Sequence, residues 1–291
     1  MNIAHQVANA KKPFYSLEFF PPKEKEGWPA FFATVEQLRS IHPLFASVTY
    51  GAGGATQNNT LEFAGKLKAM NLETMAHLTC VSADKVKIAA FLRDLRAVGV
   101  ENVLALRGDP PQGQRVDWDK AAFRYAADLV RFVREQDPMM GLAVAGYPAA
   151  HPESATFSAD RKHVCDKIRA GADFVITQLF FDVREYEDFV RYLRAKGITV
   201  PVIPGVLPIQ SLESVRRILS LCGANIPGKL YLALEAANER GGQPAVKETG
   251  IAFAVCQIKR LLEFGAPGIH LYTLNSAPTC LRIVEEVGET A

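Results

Sequence analysis

Two rhythms of apolar residues alternate along the chain. Runs of six to eight residues rich in β-branched and aromatic side chains are followed by segments in which apolar positions recur every three or four residues, with charges between them. The first rhythm suits a buried strand and the second an amphipathic helix lying over it, the repeat of βαβ units that builds a parallel sheet. The strand runs are FYSLEFF (14–20), FASVTY (45–50), ETMAHLTC (73–80), NVLALRG (102–108), GLAVAGYP (141–148), FVITQLF (174–180), PVIPGVLP (201–208) and GIHLYTLN (268–275). Eight such runs predict an α/β fold closed into a (β/α)8 TIM barrel. WPAFFATVEQLRS and DKVKIAAFLRDLRAVG read as outer helices, and the long interval 209–267 predicts extra helices before the last strand. No linker or low-complexity segment divides the chain, so residues 1–291 are expected to form a single domain.

Composition narrows function more than fold. A chain of 291 residues with 48% hydrophobic content can bury a large core. Lys plus Arg number 33 against 31 for Asp plus Glu, and a net charge of +2 points away from nucleic acid and membrane surfaces and toward small molecules. The N-terminal MNIAHQVANAKKPF lacks the apolar stretch of a secretory signal, and no charge-free apolar run approaches the roughly 18 residues of a membrane span, so a cytoplasmic address is expected. Five scattered cysteines without a Cys-x-x-Cys pair read as reduced core thiols rather than a disulfide framework.

The first strand run places a charge where apolar residues dominate. Glu18 stands inside FYSLEFFPPK, near the end of a strand stopped by two prolines. A buried carboxylate needs a partner, or its pKa rises until it holds a proton near neutrality and can act as a general acid. In such barrels the chemistry gathers at the C-terminal ends of the strands. Those ends carry Glu18, Thr49, His77, Arg107 with Asp109, Tyr147 with His151, Gln178, PGVLP, and Thr273 with Asn275, so polar groups converge on one rim.

Each constellation also has a plain reading. TYGAGGAT (49–56) compares with the G-x-G-x-x-G dinucleotide fingerprint but has Thr56 for the third glycine; its glycines either admit a ligand to the backbone or make a tight turn. His77 and Cys80, three apart on a strand, face opposite ways, which argues against a shared metal, and His77 reads equally as a core histidine. In LRGDPP, Arg107 and Asp109 make either a local ion pair or a site where a guanidinium meets a phosphate or ring carbonyl and a carboxylate meets a hydrogen-donating ring. YPAAHPE offers an aromatic face at Tyr147 and a donor at His151, while Asp160 and Lys167 share one helix face. H-E-x-x-H, G-x-S-x-G and Walker loops are absent from the sequence, which turns the reading toward a flat organic cofactor and a flat substrate on an apolar rim.

Taken in order, SLEFFPPK, SVTYGAGGAT, HLTC, LRGDPP, YPAAHPE, ITQLFFD, PGVLP and YTLN resemble the methylenetetrahydrofolate reductase family over nearly the whole chain. The resemblance implies an FAD-binding barrel that reduces 5,10-methylenetetrahydrofolate to 5-methyltetrahydrofolate with NAD(P)H by ping-pong kinetics. It further implies a cytoplasmic homo-oligomer of one-carbon metabolism and methionine biosynthesis, with no metal and without the C-terminal regulatory domain of eukaryotic relatives. Glu18 is then the general acid, protonating N10 and opening the ring to an iminium cation, with Phe19 and Phe20 as the apolar setting that keeps its proton. Asp109 stabilises that cation. Thr49, Tyr50, Ala52, His77, Arg107, Gly108, Asp109, Tyr125, Ala126, Tyr147, His151, Asp160 and Lys167 would hold FAD. Gln178 would contact pterin and nicotinamide in turn, and Glu18, Asp109, Ile218 and Ser276 complete the substrate contacts.

Two positions depart from the family pattern. YTLNR reads YTLNS here, with Ser276 for an arginine that helps hold folate, and Ile218 stands at the place of a ring-stacking phenylalanine. These departures motivate a changed physiological direction or an alternative, an FAD-binding barrel subunit reduced by a partner protein. A barrel oxidoreductase of another one-carbon pathway is the third reading.

Overall fold

The computed structural model describes residues 2–49, 57–110, 113 and 116–288. Its strands are β1 (Phe14–Phe19), β2 (Phe45–Val48), β3 (Thr74–Thr79), β4 (Asn102–Leu106), β5 (Gly141–Gly146), β6 (Phe174–Thr177), β7 (Val202–Ile203), β8 (Gly205–Val206) and β9 (Gly268–Tyr272). They pair in the order β7-β6-β5-β4-β3-β2-β1-β9-β8, and each ladder is parallel. β7 and β8 are two halves of the expected seventh strand, parted at Pro204. β7 pairs with β6 and β8 with β9, so the chain running through Pro204 closes the ring. Proline has no N–H for a ladder, but the Pro204 carbonyl accepts from His270 N–H at 2.9 Å. The fold is a (β/α)8 barrel.

The outer layer comprises α2 (Trp28–Leu38), α3 (Gln57–Ala69), α4 (Lys85–Ala97), α5 (Ala126–Gln136), α6 (Phe157–Arg169), α7 (Val183–Ala195) and α10 (Ala277–Val287), while α8 (Leu212–Cys222) and α9 (Gly228–Glu263) occupy the interval before β9. α9 breaks at Gly241 and Gly242, just ahead of Pro244. A further helix, α1 (Ile3–Asn9), precedes β1. Its seven residues are too few for a helical period to register in the sequence.

Alternation along β1 separates the layers. Tyr15, Leu17 and Phe19 join the cluster between sheet and helices, whereas Ser16 and Glu18 face the inside of the ring. The lower interior is apolar: Phe45, Met75, Leu104, Ala143, Phe174 and Ile203 pack against Ile3 and Val7 of α1. Ile3 N–H donates to Asn102 Oδ1 at 2.8 Å, tying α1 to the start of β4. Each large side chain buried there contributes about 1.5–3 kcal/mol. α1 thus plugs the bottom, leaving the upper end for polar groups.

Cys80, Cys165 and Cys280 are buried thiols, but Cys222 is half-buried and Cys256 exposed. This corrects the reading of all five as core residues; both exceptions lie on helices whose buried face is set by tertiary packing. Among the described residues no helix is long and apolar enough to cross a membrane.

Candidate active site

Four neighbouring strands, β9, β1, β2 and β3, bring the central groups together. Glu18, the penultimate residue of β1, lies opposite Ser47 of β2 and Tyr272 of β9. Its Oε2 is 3.3 Å from His270 Nε2 and 3.3 Å from His77 Nε2, and it accepts from Ser47 Oγ at 3.5 Å. The His77 nitrogen is not aligned for a hydrogen bond, so that approach is electrostatic. On its other side His270 meets Ser16 Oγ through Nδ1 at 2.8 Å. Ser16, His270 and Glu18 therefore form a buried chain of exchangeable protons that ends at the carboxylate.

Burial alone would raise the Glu18 pKa, but the charge of His77 and the hydrogen bond of His270 outweigh it and lower the value to about 2. At neutral pH the Glu18 carboxylate therefore rests ionised between the two imidazoles. The expectation of a raised pKa in an apolar sleeve is corrected here. Phe19 points to the helices, its ring 5.8 Å from Phe31, and Phe20 is 37% exposed. The groups that surround Glu18 come from β3 and β9 instead.

Above this cluster opens a cavity of about 620 Å³, in the range of pockets that hold cofactor-sized ligands. Its wall includes Glu18, His77, Arg107, Gly108, Asp109, Tyr125, Ala126, Tyr147, His151, Asp160, Lys167 and Gln178. Thr49 follows β2, donating its N–H to Phe19 O at 3.1 Å, and is not part of that wall. Tyr50 and Ala52 lie outside the described residues. Ile218 packs against an apolar cluster that includes Leu207, Ile209, Val215, Leu230 and Val246, and Ser276 Oγ pairs with Thr279 Oγ1 at 2.9 Å at the head of α10. Neither Ile218 nor Ser276 is in the cavity wall.

Local geometry explains how the wall is presented. Gly108 has φ +80°, and a Cβ there would stand 2.8 Å from Val81 and 2.9 Å from Thr79, so the turn after β4 requires glycine. Arg107 pairs with Glu153 at 2.7 Å rather than with Asp109, and its guanidinium lies 4.8 Å from the Trp118 ring. Tyr147 meets His151 edge to face at 4.7 Å, and Gln178 Oε1 accepts from Leu179 N–H at 2.9 Å. Burial, then the charge of Arg107, lower the His151 pKa, and His151 Nδ1 accepts from Glu153 N–H at 3.1 Å.

The wall also holds groups that the sequence reading left out: Trp118, Arg124, Ser154, His163 and Tyr272, with His270 and Ser16 beneath. His163 was within reach, because positions 160, 163 and 167 share one helix face. Its ring stacks on Tyr125 at 4.9 Å.

The far end of the cavity carries polar groups suited to the hydroxyls and anionic groups of a ligand. Asp160 Oδ2 is buried without a partner, while Oδ1 accepts from Ser154 Oγ at 3.2 Å; a free buried acceptor suits a ligand hydroxyl. Lys167 Nζ donates to Ala145 O at 2.5 Å, which leaves further protons for an anion. Burial pulls the Lys167 pKa down to about 8. With Arg107 these groups form a donor set for phosphates and a sugar chain, beside aromatic faces for a ring system. Among the described residues no group of three or more His, Cys, Asp or Glu side chains is placed to hold a metal ion.

The sequence model of the methylenetetrahydrofolate reductase family matches residues 3–288. This chain belongs to the methylenetetrahydrofolate reductase family. A 5,10-methylenetetrahydrofolate reductase of Salmonella typhimurium is 33% identical over 274 residues, which cover 94% of this chain and 90% of that protein. Methylenetetrahydrofolate reductase (NADH) 1 of Arabidopsis thaliana is 38% identical over 286 residues, covering 94% of this chain but 48% of its own, so the chain spans about half the length of that plant relative. Among solved structures, an uncharacterized protein from Clostridium thermocellum that binds two copies of 5-methyl-5,6,7,8-tetrahydrofolic acid aligns with a TM-score of 0.70, over 98% of this chain and 99% of its own. At 14% identity, that likeness is one of fold.

Proposed function

We propose that this chain reduces 5,10-methylenetetrahydrofolate to 5-methyltetrahydrofolate with NAD(P)H as donor, using FAD held in the 620 Å³ cavity. The observation that carries the reading is a buried carboxylate, flanked by two imidazoles, at the floor of a cavity whose other end carries Arg107, Asp160 and Lys167, in a chain of this family. Bound FAD would carry hydride between nicotinamide and folate.

The residues of the chain supply the rest. Arg107, Asp160 and Lys167 would hold the phosphates and sugar hydroxyls of FAD, with Tyr147 and His151 as further cofactor contacts in the same wall. Glu18 passes to N10 of the folate a proton that it first takes up from a neighbouring imidazole, His77 or His270, with the Ser16 hydroxyl behind His270. Asp109, exposed at the rim, offers negative charge to the cation that ring opening creates. Gln178, in the cavity wall with Tyr147, orients the two substrates, which occupy the one cavity in turn and so give ping-pong kinetics.

A visible spectrum tests the proposal. The purified protein is expected to be yellow, to bleach anaerobically with NADH or NADPH alone, and to regain colour on addition of methylenetetrahydrofolate. Bleaching without a partner protein removes the alternative of a partner-reduced subunit. A colourless protein indifferent to FAD overturns the proposal.

A further inference from the structure

The turn between β9 and α10 grips β1 with side chains where the ladder ends. β9 pairs with β1 as far as Glu18 opposite Tyr272. Beyond that the backbone bends away: Leu274 and Asn275 take φ of 47° and 54°, two successive left-handed residues that both carry side chains. Such a pair persists where surrounding contacts over-determine it.

Those contacts converge on the residues around the carboxylate. Glu18 O accepts from Thr273 Oγ1 at 2.6 Å and from Thr273 N–H at 3.2 Å. Asn275 Nδ2 donates to Phe20 O at 2.6 Å while Asn275 Oδ1 accepts from Phe20 N–H at 3.1 Å, so one amide does the work of a neighbouring strand residue. Asn275 N–H donates to Thr273 Oγ1 at 3.1 Å and joins the two halves of the grip. On the opposite edge, Phe19 O is held by Thr49 N–H. The backbone from Glu18 to Phe20 is thereby fixed from both sides.

We propose that Thr273 and Asn275 are positioning residues for the acid, a clamp that sets the Glu18 backbone so that its carboxylate meets both imidazoles and the cavity together. The inference rests on the reading of Glu18 as proton donor. A carboxylate oxygen 3.3 Å from two separate nitrogens has little slack. A displacement of about 1 Å at a reacting group is enough to cost about a hundredfold in rate. A turn with no duty beyond ending the strand would be served by glycine, without a left-handed leucine and asparagine.

The test separates the two half-reactions in the FAD-loaded protein by stopped flow. Thr273→Val removes the hydroxyl at nearly constant volume, Thr273→Ser keeps it, and Asn275→Ala removes the amide. T273V and N275A are expected to slow folate-dependent flavin reoxidation by about tenfold to a hundredfold, while flavin reduction by NADH and the KM for folate stay within about twofold. T273S should reoxidise close to wild type. Equal loss of both half-reactions, in parallel with a lowered Tm, would mark a merely structural turn and overturn the proposal; so would unchanged reoxidation in T273V. Should N275A fail to fold, the T273V and T273S pair decides. A wild-type protein that bleaches with NADH yet is never reoxidised by methylenetetrahydrofolate overturns the reading of Glu18, and the clamp with it, before any variant is compared.

Discussion

The two ends of the barrel use the same strands for opposite purposes. At the lower end, Phe45, Met75, Leu104, Phe174 and Ile203 close on Ile3 and Val7 in an apolar layer. At the upper end, the inward positions carry Ser16, Glu18, His77 and His270, equally buried but bound to one another. Along β1 the change takes four residues, from Phe14 against the apolar layer to Glu18 under the cavity. Apolar groups at the lower end are interchangeable in kind, because burial is non-directional. Polar groups at the upper end are not, since each depends on a named partner for its charge or hydrogen bond. Substitutions at the two ends should therefore fail in different ways.

The largest separation is expected from Glu18→Gln. Losing a general acid should slow folate-dependent reoxidation by about 10²- to 10⁴-fold, while FAD binding and reduction by NADH persist, as paired stopped-flow traces would show. The counterpart below is Phe174→Ala, which removes a ring 6.1 Å from that of Phe45. It should cost about 3–5 kcal/mol in denaturant unfolding, yet leave the ratio of the half-reactions unchanged in the folded fraction. A smaller effect is expected for His270→Asn: folate reduction should fall by about tenfold to a hundredfold with its pH profile altered, because the relay from Ser16 is cut.

The smallest effect concerns Lys167. With its pKa lowered to about 8, it is charged below that value and loses its proton above it. FAD affinity, followed by flavin fluorescence, should be full below about pH 8 and decline as the pH rises through it. Lys167→Met should bind about tenfold more weakly with no such decline, the size of one charge-assisted contact.

The same contrast between the ends explains what could be read from sequence. The strands were legible because each is a buried run set off by helical periodicity, and the apolar lower layer follows from that pattern. Pro204 was visible, but its splitting of the seventh strand depends on partners on both sides, β6 and β9. At the upper end Glu18 and His77 were legible as polar residues at strand ends. The role of His270 was not: it lies 252 residues from Glu18, and the register that sets it beside the carboxylate is written in neither strand alone. Without that partner the apolar neighbours Phe19 and Phe20 suggested a protonated acid. Period-two alternation, applied strictly, would have turned Phe19 to the other face of the sheet.

The account depends most on the state of Glu18 before substrate arrives. Infrared difference spectroscopy between the wild-type protein and Glu18→Gln at neutral pH reads it directly. The account predicts loss of a carboxylate stretch, from an ionised group held between His77 and His270; loss of a protonated carboxylic-acid band instead would contradict it.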